Sequence, residues 1–237
     1  MNKEILSGRH VAVTGGTGAL GQAVVARLIG EGAICHVPIH RAKGRSDEQG
    51  GAAQDRLRIT PGVDLTDEAA VAAFYGTIPS LWASVHLAGG FAMAPLPDTG
   101  RAEFLRMIEM NALTAFLCCR AAAGALRQTG QGGRIVNVAA RPAIEPRKGA
   151  HMVAYATSKV AVAAMTQALA EELKTERILV NAIAPSTIDT AANRSAMPRA
   201  DPAKWLAPEA AAETILHLVS PENRELSGAV LPLFARA

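Results

Sequence analysis

Short apolar runs and amphipathic stretches alternate along this chain, and the alternation predicts its elements. Val11–Val13 is a short apolar strand that ends at the glycine turn Thr14-Gly15-Gly16-Thr17-Gly18-Ala19-Leu20-Gly21. Ala19 to Ile29 carries apolar residues at helical spacing and is closed by Gly30 and Gly32. Strands are expected over Ala33 to Ile39 and Leu57 to Val63, with the polar, Gly-rich stretch Arg41 to Gln54 between them as a loop or weak helix. Asp67 to Tyr75 predicts a short helix, Trp82 to Leu87 a strand, Glu103 to Leu126 a long helix and Arg134 to Val138 another strand. Met152 to Leu173 reads as a second long helix. Ile178 to Ile183 is a buried strand that stops at Pro185, Pro208 to Val219 a helix with proline near its first position, and Ala229 to Leu233 a last strand. Strands alternating with helices predict an α/β fold: a doubly wound parallel sheet of about seven strands, covered by helices on both faces. No linker, repeat or low-complexity tract interrupts the 237 residues, so a single domain over 1–237 is expected.

Composition narrows the class. The chain is 49% hydrophobic and 19% charged, enough apolar residue to bury a sizeable core. Its net charge of +3 is spread along the chain without a block of like charges, which argues against a nucleic-acid partner. The three cysteines, Cys35, Cys118 and Cys119, are an odd count with two adjacent, so a disulfide framework is not expected and a reducing compartment is. Met1 to His10 has no apolar signal core, and no apolar run is long enough to span a membrane. A cytoplasmic protein with no membrane partner is the expectation. No metal site is expected.

Two groups of residues carry chemistry. Gly16-Thr17-Gly18-Ala19-Leu20-Gly21 fits Gly-x-Gly-x-x-Gly directly after a strand and opening a helix. Glycines permit a tight turn and close approach of backbone to a pyrophosphate, and the helix N-terminus presents free N–H groups. Tyr155 and Lys159, four residues apart, share one face of a helix. An ammonium close to a phenol favours the phenolate, which would bring a group of reference pKa about 10 nearer neutrality. Together they predict hydride transfer involving a nicotinamide, with tyrosine handling the proton. An acid at the end of the second strand marks NAD preference, through the ribose 2′-hydroxyl. Here the chain reads Ile39-His40-Arg41-Ala42-Lys43, without an acid, so NADP is favoured over NAD.

In this order and at these intervals the residues resemble the short-chain dehydrogenase/reductase family, whose members have a Rossmann fold, over nearly the whole chain. The resemblance implies cofactor contacts from the turn at Gly15, Thr17, Gly18, Ala19, Leu20 and Gly21, and from His40 and Arg41 at the second-strand end. It implies an adenine contact at Asp64 with Leu65, and further contacts at Ala88, Gly89 and Gly90, where the family has Asn-Asn-Ala-Gly and this chain has His86 and Leu87 in place of the asparagines. Asn111 resembles the family's structural and proton-relay asparagine, Tyr155 and Lys159 its catalytic pair. Asn181 to Pro185 resembles the strand that reaches the nicotinamide, which would bring Pro185, Ile188 and Thr190 to the carboxamide. A homodimer or homotetramer through the two long helices is implied as well, with a small carbonyl or alcohol as substrate.

One departure stands out. The family's catalytic serine follows the Arg134 to Val138 strand, and this chain has Ala139-Ala140 there. Arg141 and His151 carry donors nearby but read as loop surface residues. Dihydropteridine reductase, a family member, also lacks that serine, and Ala88-Gly89-Gly90-Phe91 together with the stretch from Ile188 to Trp205 is similar to it. Reduction of a quinonoid pterin is therefore an alternative, and a non-catalytic NADP-binding sensor is another; the intact Tyr155, Lys159 and Asn111 weigh against the sensor. Ser186 to Ala207, polar and broken by prolines, reads as a lid over the substrate.

Overall fold

The computed structural model describes residues 4–40 and 54–236. Seven parallel strands form one sheet in the order β3-β2-β1-β4-β5-β6-β7. They are β1 (His10–Thr14), β2 (Ile34–Ile39), β3 (Leu57–Pro61), β4 (Leu81–His86), β5 (Gly133–Val138), β6 (Ile178–Pro185) and β7 (Val230–Leu233). The expected seven-stranded, doubly wound sheet is what the chain forms. The order reverses between β1 and β4, where an open parallel sheet leaves a crevice at its strand C-termini.

Each face is covered by helices whose apolar stripes explain the cover. On one face, α1 (Ala19–Gly30) buries Gly21, Val24, Val25 and Leu28, a three-and-four spacing that keeps them on one side. The last helix, Pro208–Val219, joins it there by burying Ala211, Ala212, Ile215, Leu216, Leu218 and Val219. These residues pack with Val11, Val13, Val37, Val85 and Ile183 of the sheet. On the other face lies α2 (Glu68–Gly76), capped by Asp67, whose carboxylate accepts from the N–H groups of Ala69 and Ala70.

The predicted helix from Glu103 to Leu126 is three consecutive pieces: α3 (Arg101–Met107), a π-helical turn over Ile108–Leu113, and α4 (Thr114–Thr129), which ends at left-handed Gly130. Next come α5 (Arg141–Ile144) and α6 (Val153–Glu172). Leu117, Leu126, Leu173, Ile135 and Val180 form the core on this second face. Each such fully buried aliphatic side chain contributes roughly 2 kcal/mol from removal of its apolar surface from water.

The expected lid over Ser186 to Ala207 is more ordered than a loop. It contains α7 (Ala191–Ala196), begun by Thr190, whose hydroxyl accepts from Asn193 N–H at 3.1 Å. A bridge between Ile188 and Leu206 closes its base, and Leu206 is buried in the core. The helix Pro208–Val219 is α8. Among the described residues, no helix is long and apolar enough to cross a membrane.

Candidate active site

The glycine turn shows which of its glycines the fold itself demands. Gly15 has φ +68°, and a Cβ there would sit 2.7 Å from the Ala88 nitrogen. A Cβ on Gly21 would lie 2.1 Å from the Gly15 carbonyl oxygen. Gly18 differs: its φ is −75°, and an added Cβ would meet only the Gly15 oxygen, at 3.4 Å. Among the described residues nothing requires glycine at that position, so the bare backbone fits an external group. Gly18 begins α1 with no side-chain cap and no acidic residue in the first turn. The leading N–H groups of the helix therefore face outward with the positive end of its dipole. Thr17, Gly18 and Ala19 are exposed and Leu20 is half-buried.

At the reversal of strand order, a cavity of about 800 Å³ brings together Gly15, Thr17, His40, Asp64, Leu65, Ala88 and Gly89. All seven were expected from sequence to meet a dinucleotide. Ile39, Ile59 and Val63 give the cavity an apolar wall suited to a flat heterocycle. Asp64 Oδ1 accepts from both the hydroxyl and the N–H of Thr66, at 2.7 and 2.8 Å; these bonds, then the nearby His40, hold its carboxyl below the usual range. The cradle, the uncapped helix end and this cavity fit a dinucleotide. Arg41 and Lys43, the basic pair expected at the 2′-phosphate, lie outside the described residues.

Beyond the cavity stands the expected catalytic group. Asn111 sits in the π-helical turn, buried, and its side chain is engaged on both sides. Oδ1 accepts from Gly90 N–H at 3.0 Å, while Nδ2 donates to the Gly90 carbonyl at 3.1 Å and to Ser158 Oγ at 3.1 Å. Ser158 in turn donates to the Tyr155 carbonyl at 2.7 Å. Gly89 lies between the two parts of the site. A Cβ on it would stand 2.5 Å from Asn111 Oδ1 and 3.5 Å from Lys159 Nζ. Lys159 is buried and donates to the Val138 carbonyl at 2.8 Å. The Tyr155 ring meets Phe91 edge-on, with centroids 4.9 Å apart.

One expectation is reversed. Burial pushes the Tyr155 phenol up to about 12, not down, and pushes the Lys159 ammonium down to about 8. The lysine points at the Val138 carbonyl, and its Nζ lies 6.0 Å from the tyrosine ring centroid. Removal of both groups from water outweighs their mutual influence at that separation.

The remaining expected residues spread over the C-terminal end of β6. Pro185 is buried and pairs with Leu233 in the sheet, Ile188 is half-buried against the core, and Thr190 caps α7. They do not line the cavity. Ala139 packs with Ala182 and Ala184, and Ala140 is buried at the start of α5, so methyl groups occupy the position of the family serine. Arg141 pairs with Glu145 at 2.7 Å and lies over the Phe234 ring, and His151 is exposed with φ +62°. Between Ser186 and Ala207, Arg194 pairs with Asp189 at 2.6 Å. Sequence reasoning missed Ser158, although its spacing of three from Tyr155 puts both on one helix face.

Comparison with known proteins settles what the arrangement belongs to. The short chain dehydrogenase family profile matches residues 9–201. The chain belongs to that family. A 3-beta-hydroxysteroid dehydrogenase of Comamonas testosteroni is 30% identical over 95% of this chain and 94% of its own length. A sorbitol dehydrogenase of Cereibacter sphaeroides is 29% identical over 78% of this chain and 72% of its own. Among solved structures, a short-chain type dehydrogenase/reductase from Mycobacterium ulcerans superposes with a TM-score of 0.84 at 23% identity, covering 98% of this chain and 90% of that one. The NADP-bound structure of ElxO does so with 0.86 at 21%, covering 95% and 97%. This short-chain dehydrogenase is thus an NAD(P)-dependent oxidoreductase, and the matches favour neither pterin reduction nor a non-catalytic sensor.

Proposed function

We propose that this short-chain dehydrogenase interconverts a carbonyl compound and its alcohol, with Tyr155 giving or taking the proton on the substrate oxygen. The observation that carries this reading is the placement of Gly89, on the wall of the dinucleotide-sized cavity and at a point where an added Cβ would stand 2.5 Å from Asn111 Oδ1 and 3.5 Å from Lys159 Nζ. Bound there, a nicotinamide cofactor supplies or accepts the hydride.

The protein's own groups do the rest. Gly15, Gly18 and the α1 N-terminus hold the pyrophosphate, and Asp64 with Leu65 borders the adenine. Lys159, with its ammonium pushed down to about 8 by burial and one donor on the Val138 carbonyl, offers a positive charge and its remaining donors to the cofactor ribose. Asn111 fixes the backbone at Gly90 and, through Ser158, the first turns of α6; one lone pair on Oδ1 is left over for a water in the proton relay. Pro185, Ile188 and Thr190 contact the carboxamide end. NADP is preferred to NAD because His40 stands at the end of β2 where an acid would repel a 2′-phosphate, with Arg41 next in sequence. The enzyme works as a homodimer or homotetramer on a small molecule in the cytoplasm.

The test is NADPH and NADH oxidation with a panel of ketones by wild type and Tyr155→Phe, with cofactor affinity measured separately by fluorescence. Tyr155-dependent turnover supports the reading. Equal turnover in the variant overturns it.

A further inference from the structure

We propose that the segment from Ala88 to Leu96 is a substrate-recognition wall, and that it selects a bulky, rigid apolar ketone or secondary alcohol over a polyol or ketose. This rests on the reading of Tyr155 as the proton-transfer group and names the substrate class of that same site.

Leu96, Met93 and Phe91 are the three most exposed large hydrophobic residues among those described, at 69%, 60% and 59%. They fall within six positions of one another. Single exposed apolar side chains are ordinary, but three in one segment form a patch that marks a binding surface. Exposure alternates along it, with Phe91, Met93 and Pro95 exposed and Ala92 and Ala94 half-buried, as along an extended chain that presents every second residue.

The segment is held, not loose. Its start is clamped by the two-way bond between Asn111 and Gly90, and its end turns into the 3-10 helix Leu96–Asp98, where the Thr99 hydroxyl donates to the Pro95 carbonyl at 3.1 Å. The Phe91 ring lies edge-on to the Tyr155 ring while most of its own surface stays open. A substrate oxygen that reaches the phenol therefore brings its carbon skeleton against Phe91.

The chemistry of the wall decides the class. Ala88-Gly89-Gly90-Phe91-Ala92-Met93-Ala94-Pro95-Leu96 contains no side-chain nitrogen or oxygen, only the weakly accepting Met93 sulfur, and Ala139 and Ala140 add none where the family has its serine. A polyol here would give up hydrogen bonds to water without replacement. A fused or aryl-substituted ring would bury apolar surface on Phe91 and Met93 and present one oxygen to Tyr155.

The experiment compares a bicyclic apolar ketone (decalone) with a ketohexose (fructose), in wild type, Phe91→Ala and Tyr155→Phe. Turnover is read by NADPH oxidation, and binding of decalone to the NADPH-saturated protein is read by saturation-transfer NMR. The expected result is a kcat/KM for decalone at least about tenfold above that for fructose. Phe91→Ala should lower the decalone value about tenfold, through KM, with unchanged NADPH affinity, and Tyr155→Phe should bind decalone normally. Phe91-dependent binding without turnover would support the wall and count against the proton-transfer reading. Fructose turned over as well as decalone, equal loss for both substrates in Phe91→Ala, or no decalone bound would overturn the proposal.

Discussion

Asn111 and Gly90 exchange two hydrogen bonds, side-chain oxygen to backbone N–H and side-chain nitrogen to backbone carbonyl, at 3.0 and 3.1 Å. The amide thereby replaces a strand neighbour for a segment that has left the sheet. Its position in a π-helical turn suits this, since such turns mark functional sites where a helix is locally widened. Asn111→Leu should lose both bonds and the one to Ser158, leaving the half-buried Gly90 N–H unpaired. A loss of about 2 kcal/mol in urea unfolding and a fall of tenfold or more in kcat are expected. Unaltered kcat with lowered stability would restrict Asn111 to the fold.

Gly18 and Gly21 separate cofactor binding from folding. Gly21→Ala forces a methyl group to within 2.1 Å of a backbone oxygen, so both melting temperature and cofactor affinity should drop. Gly18→Ala meets nothing closer than 3.4 Å at an ordinary φ, so its melting temperature should stay within about a degree or two of wild type. Its affinity for NADPH should nevertheless fall about tenfold, because the methyl group intrudes where backbone meets pyrophosphate. Normal binding by Gly18→Ala, in a fluorescence titration, would remove the pyrophosphate from this turn.

His40 is the described residue nearest the NADP question, on the cavity wall at the end of β2. His40→Asp should lower NADPH affinity about a hundredfold, by repulsion of the 2′-phosphate, and raise NADH affinity through the ribose hydroxyls. Parallel titrations of both cofactors check this; an unchanged ratio would count against NADP preference set at this position.

Lys159 gives a pH dependence with a definite sign. Its ammonium is held down to about 8 by burial, so the charge is lost as pH rises through that value. The kcat/KM for ketone reduction should therefore fall above pH ~8. In Lys159→Arg the guanidinium keeps its charge, so whatever activity remains should show no such limb. A wild-type profile flat to pH 9.5 would show that the ammonium charge is not needed.

The fold was largely legible because its strands are short apolar runs stopped by glycine or proline, and its helices carry clear apolar spacing. Leu57 to Val63 ran two residues beyond β3 because Val63 is buried outside the sheet. The π-helical turn at Ile108–Leu113 leaves no trace in an apolar pattern, so the long helix read as unbroken. Ala191–Ala196 buries no residue, so its sequence has no apolar stripe to find. In the candidate site, the shared place of Tyr155 and Lys159 on α6 and the strand–turn–helix setting of the glycine turn were legible from spacing. The Val138 carbonyl beneath Lys159, and the pull of burial on both titrating groups, exist only once β5 and α6 are packed.

His86 shows the same limit and yields a last prediction. In the sequence it reads as a polar residue at the end of an apolar strand, in the place of a family asparagine, and nothing there shows its partners. In the fold it is fully buried, with Nδ1 2.8 Å from Asn137 Oδ1 and Nε2 2.9 Å from Ser84 Oγ, and Asn137 continues to Thr166 of α6 at 3.0 Å. The network therefore ties β4 and β5 to the helix that carries Tyr155. Burial lowers the His86 imidazole to about 4, and His36, buried beside His10, is lowered to about 4 as well. A lowered histidine binds its proton more readily in the unfolded chain. Its contribution to stability is present above pH ~6.5 and is lost as pH falls toward 4. For His86 the loss is on the order of 3 kcal/mol across that window. His86→Asn keeps an amide partner for Asn137 but cannot titrate. Its unfolding free energy should lie below wild type at pH 7.5 and close much of that gap by pH 4.5, leaving the acid slope from His36. Urea unfolding at the two pH values measures the gap, and a gap independent of pH would mean that His86 does not govern acid stability.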